Sequence, residues 1–220
     1  MAIRETRAQT TETIGLVRQD CAGYTNCFTS LSAWEANYGG IDFGACEVGD
    51  LVCADTIAIA QIDGSWSSAD TTAVTIDGWT TDATHYIKVY TTATARHNGI
   101  YTGDGGKSTA YRLVLSNTKA LDIREGNTRI DGLQIEITSA SSNSQDPITF
   151  ANGSFVAGDR SDISNCILKG HGNASYYEFG IRSGNNLTRN TWNTIIYNIP
   201  LSANSVGIDA RYLDYIYNCT

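Results

Sequence analysis

Ile163-Ser164-Asn165-Cys166-Ile167-Leu168 decides the reading of this 220-residue chain, because the phrase returns twice. Trp192-Asn193-Thr194-Ile195-Ile196 echoes it, and Ile216-Tyr217-Asn218-Cys219-Thr220 begins it again. The asparagines lie 28 and then 25 residues apart, inside the period of about 20–50 residues that marks solenoids. A second phrase keeps step: Phe179-Gly180-Ile181-Arg182 recurs 27 residues later as Val206-Gly207-Ile208-Asp209. Each repeat is short, rich in β-branched residues and punctuated by Gly, Asn and Ser, so it reads as strands joined by turns. None holds a helical-period segment long enough for a leucine-rich, ankyrin or tetratricopeptide repeat. The expected fold is all-β, a parallel β-helix with sheets built from strands of successive coils.

Asn beside a strand suits such stacking. It tolerates the left-handed backbone of a tight corner, and its amide can bond to the equivalent Asn one coil away. Asn165, Asn193 and Asn218 are therefore expected to form a ladder. Thr220 interrupts the repeated phrase. Since an open last coil would expose backbone and core, the natural chain is expected to continue, or another chain to complete it.

Composition narrows the function classes. A formal charge of −8 argues against a nucleic-acid groove, and no stretch approaches the roughly 18 apolar residues of a membrane span. The polar start, Met1 to Thr10, lacks the apolar core of a secretory signal. Of six cysteines, Cys21 with Cys27, and Cys46 with Cys53, are close enough for local bridges in an oxidising setting. Their spacing is not that of a zinc site. Cys166 and Cys219 occupy equivalent repeat positions and read as small stacked core residues. Sequons begin at Asn152, Asn173, Asn186 and Asn218 but carry little weight without an export signal.

Three segments follow from the pattern. Residues 1–20 read as a polar arm that orders on a partner. Residues 21–47 read as a cap with a short helix, started by Thr29 or Ser30 and presenting Leu31 and Trp34 to the first coil. Residues 48–220 read as the β-helix. Its core is expected to include Ile57, Ile59, Ile76, Ile87, Val89, Leu113, Ile123, Ile130, Leu133, Ile135, Ile163, Cys166, Ile181, Ile195 and Ile208. The longest interruption, 91–107, carries Arg96, His97, Tyr101 and Asp104, and protrusions of this kind are common places for function.

Several stretches carry a family resemblance: Tyr24 to Glu35, Ile76 to Ile87, Arg96-His97-Asn98-Gly99 and Arg129 to Ile135. They resemble right-handed parallel β-helix proteins encoded by bacteriophages, prophages and uncultured bacteria. The resemblance spans Tyr24 to Ile137 and implies the right-handed fold and a virion-associated role. The wider class also holds polysaccharide lyases and hydrolases, so it does not fix activity.

Gly170-His171-Gly172 looks like the Gly-His-Gly element of polygalacturonase-type glycosidases, which need two flanking carboxyl groups. The nearest acids are Asp159 and Asp162, and that family's other motifs are absent, so a plain turn is the simpler reading. A lyase would need Ca²⁺ on several carboxylates with Arg or Lys as base. Asp122, Arg124, Arg129 and Asp131 supply only the residue types, and no cofactor is expected. Arg96-His97 with Asp104 could make an acid–base pair. Tyr176, Tyr177, Tyr197, Tyr212, Tyr215 and Tyr217 could stack on sugars or form an interface. The expectation is a non-catalytic structural protein of a virion exterior (decoration, fibre or spike), contacting its own copies or other virion proteins through residues 1–20. A glycan-cleaving enzyme and a surface-glycan-binding adhesin are the alternatives.

Overall fold

The computed structural model describes residues 10–142, 145–150, 155–156, 158–173, 175–176, 178–182, 187–202, 204–210 and 214–220. Among the described residues the structure is all-β apart from one short α-helix and two single-turn 3-10 helices, and every strand pairing is parallel.

After β1 (Thr11–Val17), β2 (Cys27–Phe28) and α1 (Leu31–Ala36), the chain runs through β3 (Thr56–Ile62), β4 (Val74–Ile76) and β5 (Ile87–Thr91). Next come β6 (Leu113–Leu115), β7 (Leu121–Ile123), β8 (Thr128–Asp131), β9 (Gln134–Ile137) and β10 (Ile148–Phe150). The repeats then supply β11 (Arg160–Ser164), β12 (Ile167–Lys169), β13 (Phe179–Arg182), β14 (Thr188–Trp192), β15 (Ile195–Tyr197), β16 (Val206–Ile208) and β17 (Asp214–Tyr217).

Three sheets collect these strands. The eight-stranded sheet has the order β17-β14-β11-β8-β5-β3-β1-β2, the five-stranded sheet β16-β13-β10-β7-β4, and the four-stranded sheet β15-β12-β9-β6. From β5 onward the chain passes from the eight- to the four- to the five-stranded sheet and back, circuit after circuit. A parallel neighbour cannot be reached by a tight hairpin, so each strand must leave its sheet and return one rung on.

One core row shows how side chains fit these rungs. Gly15, Ala60, Val89, Ile130, Ile163, Thr191 and Ile216 stand in register across the eight-stranded sheet. The row is smallest at its start because Trp34 occupies the space: a Cβ on Gly15 would lie 2.5 Å from Trp34 Cδ1. Trp34 and Leu31 are fully buried. Trp34 stacks on Trp79 with ring centroids 5.8 Å apart. Ser30 caps the helix by accepting from the Ala33 N–H at 3.0 Å, and the Leu31 N–H donates to Asp70 Oδ2 at 3.0 Å. Asp70 also accepts from the Tyr111 hydroxyl at 3.2 Å, so one buried carboxylate ties the helix to the sheets behind it. Cys21–Cys27 and Cys46–Cys53 are disulfides, while Cys166 and Cys219 are free thiols.

Two expectations need correction and a third needs qualifying. Residues 1–20 are not a free arm throughout. Thr11–Val17 pairs along its length with β3, and Gly15 and Val17 are buried. Arg18 is ion-paired to Asp63; residues 1–9 lie outside the described residues. Ile57 and Ile59 are buried as expected, but the largest cluster takes Ala58, Ala60 and Ile62 and not these two. A strand apolar on both faces gives no alternation to read. Ile195 is 37% exposed, because Ile196 is the residue in register with the core residues Ile135 and Leu168. Among the described residues no helix is long and apolar enough to cross a membrane.

Candidate functional site

The repeated asparagines occupy the left-handed corners, with φ of 52° at Asn165, 49° at Asn193 and 47° at Asn218. Asn218 Nδ2 donates to Asn193 Oδ1 at 2.7 Å, and Asn193 Nδ2 to Asn165 Oδ1 at 3.3 Å. The ladder ends on Asp131, whose Oδ1 accepts from Asn165 Nδ2 at 2.6 Å. Burial raises the Asp131 carboxyl, but hydrogen bonds from Asn165, Arg96 and Ser164 outweigh it and hold the group below the usual carboxylate range.

This arrangement separates the residues of the 91–107 segment. Arg96 is paired with Asp131, and His97 Nε2 meets the Asn165 carbonyl oxygen at 2.7 Å. Asp104 reaches a different sheet, where its Oδ1 lies 3.0 Å from Lys169 Nζ. Arg96, His97 and Asp104 therefore make no joint acid–base site. The calcium candidates are scattered too. Arg124 holds Asp122 and Asp77, Arg129 lies 3.4 Å above the Tyr86 ring centre, and Asp131 serves the ladder. Among the described residues no group of three or more His, Cys, Asp or Glu side chains could hold a metal ion.

His171 is not beside Asp159 or Asp162. Asp159 accepts from Asn127 Nδ2 at 3.0 Å and the Val156 N–H at 2.8 Å. The acid next to His171 is Glu178, whose Oε2 accepts from the His171 N–H at 3.1 Å and lies 3.6 Å from His171 Nε2. Both side chains are completely buried. Burial, with the nearby Asp146 adding, pushes Glu178 up to about 8, and burial lowers His171. Both groups are thus held neutral near pH 7, with neither side chain exposed.

A cluster invisible in the sequence lies on the outer side of the four-stranded sheet. Glu136, Lys169 and Tyr197 stand on consecutive rungs. Lys169 Nζ is 3.0 Å from Asp104 and 3.3 Å from Glu136. Tyr101 donates to Glu136 at 2.6 Å, and Tyr197 donates to Asp104. Burial would lower Lys169, yet the two acids hold its ammonium above the ordinary range. Burial and the same acids drive both phenols far upward. The lysine and both phenols hold their protons tightly, and the cluster clasps the 91–107 segment to the wall.

An open site lies on the eight-stranded sheet. Arg160, Asn190, Trp192, Tyr215 and Tyr217 line a groove of about 420 Å³. Asn190 stands in register with Tyr215, and Trp192 with Tyr217. Tyr215 and Tyr217 are half exposed. Asp162 sits beneath, accepting from Arg160 Nε at 3.0 Å and Asn190 Nδ2 at 2.7 Å. It orients two groove residues rather than acting as an acid. Of the other tyrosines, Tyr177 and Tyr212 lie outside the described residues. Comparison with protein-family models, with curated proteins and with solved structures finds no match, so the groove is read from its own chemistry.

Proposed function

We propose that the chain is a non-catalytic structural protein, a right-handed parallel β-helix whose walls are the three sheets. It serves on the exterior of a phage-type particle as a decoration, fibre or spike. The observation that carries the non-catalytic reading is the condition of its reactive groups. His171 and Glu178 are buried with no exposed edge, and Lys169 is neutralised between Asp104 and Glu136. In-register parallel ladders along three walls make a stiff rod, which suits a surface that must survive outside a cell. The particle assignment rests on the resemblance of Tyr24 to Ile137, and contact with copies or other virion proteins through residues 1–9 belongs to the same proposal.

The test is a screen of the purified protein on acidic and neutral bacterial polysaccharides, with and without Ca²⁺. No release of reducing ends or unsaturated products is expected, from the parent or from His171→Ala. Turnover that His171→Ala abolishes would overturn the reading. One observation favours a second role compatible with the first: the groove around Trp192, Tyr215 and Tyr217 presents aromatic faces beside polar groups, the pairing that holds a sugar without cleaving it.

A further inference from the structure

Resting on that glycan-binding role, we infer that the groove selects a carboxylate-bearing sugar unit of an acidic polysaccharide. The inference starts from Arg160. Its side chain is 60% exposed, and its Nε is fixed on Asp162 at 3.0 Å. No described residue bonds its two terminal nitrogens. A guanidinium anchored at one edge presents a planar, pre-oriented fork, which matches a carboxylate with two parallel hydrogen bonds. Asn190 is anchored to the same Asp162 through its Nδ2, leaving its amide oxygen to accept from a sugar hydroxyl. Trp192, Tyr215 and Tyr217 supply flat apolar faces on two adjacent rungs.

The surroundings extend this into a track. The outer row holding Asn190 and Tyr215 runs back through Asp162, Arg129 and Lys88, one residue per rung. Rungs are about 4.8 Å apart, so Lys88 to Tyr215 covers roughly 20 Å. Arg129 is laid over Tyr86 and Lys88 over Tyr90, which pins both cations against the wall. Lys88, Arg129 and Arg160 thus face outward with Asp162 between them, on a chain whose net charge is −8. Asp131, in the next row, is already engaged by Arg96 and Asn165. A local cationic stripe on an acidic protein attracts an extended anion there. That overall charge disfavours a nucleic acid as the occupant, and the open aromatic faces favour sugar rings.

The experiment is calorimetric titration of the full chain with oligo-hexuronic acids of galacto, gluco and manno configuration, each against its methyl ester, and with an oligothymidylate. At least one free acid should bind about tenfold or more tighter than its ester, the scale of a charge-assisted bond. Arg160→Met, whose site is exposed enough to leave folding intact, should erase that difference. Trp192→Ala should weaken acid and ester alike. Acid and ester binding equally, with Arg160→Met silent, would sink the carboxylate preference while leaving glycan binding standing. Failure of every sugar to bind at millimolar concentration would remove the glycan-binding role itself. Tighter binding of the oligothymidylate would overturn the inference in favour of a nucleic-acid surface.

Discussion

The helix-covered end of the molecule and its last two circuits share the eight- and five-stranded sheets but are filled differently. Beside α1 the core row is Gly15, Ala60 and Val89, under Trp34 and Trp79. Far from it, the row beside it on the same face reads Ser161, Arg189 and Asp214. Arg189 is 1% exposed there, with a terminal nitrogen 3.0 Å from Asp214. Burying such an ion pair contributes little net stability, whereas packing large aromatics contributes a great deal. The contrast places the densest aromatic packing at the helix end, away from the far circuits where the groove lies.

The largest effect should come from breaking the helix end. Trp34→Ala is expected to cost about 3–5 kcal/mol, the usual range for a large buried aromatic, read from denaturant unfolding. Leu31→Asp should be comparably damaging. Gly15→Ala tests the same packing from the other side, since its Cβ would strike the Trp34 ring. Combined with Trp34→Ala, the glycine change should lose most of its penalty, because the obstructing ring is gone. Additive losses would show that Gly15 and Trp34 are not coupled, and the packing contrast between the two ends would fail.

A middle-sized effect belongs to the corner at Gly170. Glu178 is raised to about 8 from an ordinary 4.5. A carboxyl raised on folding stabilises fully below its unfolded value, and that contribution is lost as pH climbs towards 8. Asp146, raised to about 6 mainly by burial, acts in the same direction over a lower window. Urea midpoints should therefore fall between pH 5 and pH 8, and Glu178→Gln should flatten the upper part of that slope. An unchanged slope in Glu178→Gln would mean the carboxyl is not held protonated in the folded chain.

How much of this could be read from the sequence depended on loop length. The later circuits announce themselves because Asn165, Asn193 and Asn218 recur with little between them. The earlier ones do not, since Val89 and Ile130 are neighbours across the sheet but 41 residues apart in the chain. The 91–107 segment fills that gap. The first strand is hard to read for another reason: its polar Thr-Glu-Thr start is largely exposed, and its core positions include a glycine. The clasp around Lys169 needs the register before Glu136 and Tyr197 become its neighbours. Glu178 gives no signal at all beside His171, because a seven-residue turn, not a strand spacing, brings the two together. The groove was half legible, as a tyrosine cluster whose exposed members only the register could sort.

The smallest effect sharpens the comparison most, because it isolates the ladder that joins the two regions. Asn193 donates to Asn165 and accepts from Asn218, at a φ of 49°. Asn193→Ala removes both hydrogen bonds and also forces a Cβ residue without local hydrogen bonding into the left-handed region. Asn193→Gly removes the bonds but accepts that backbone freely. Each exposed bond is worth about 0.5–1.5 kcal/mol net, and the left-handed conformation costs roughly 1–2 kcal/mol more for a residue with Cβ. Alanine should thus be the worse variant, with glycine recovering the backbone share. Thermal unfolding of the two variants and the parent reads this directly. If glycine and alanine are equally destabilising, the corner conformation contributes nothing and the amide ladder alone matters. If both unfold like the parent, the ladder follows from the stacking of the strands and does not help to hold it.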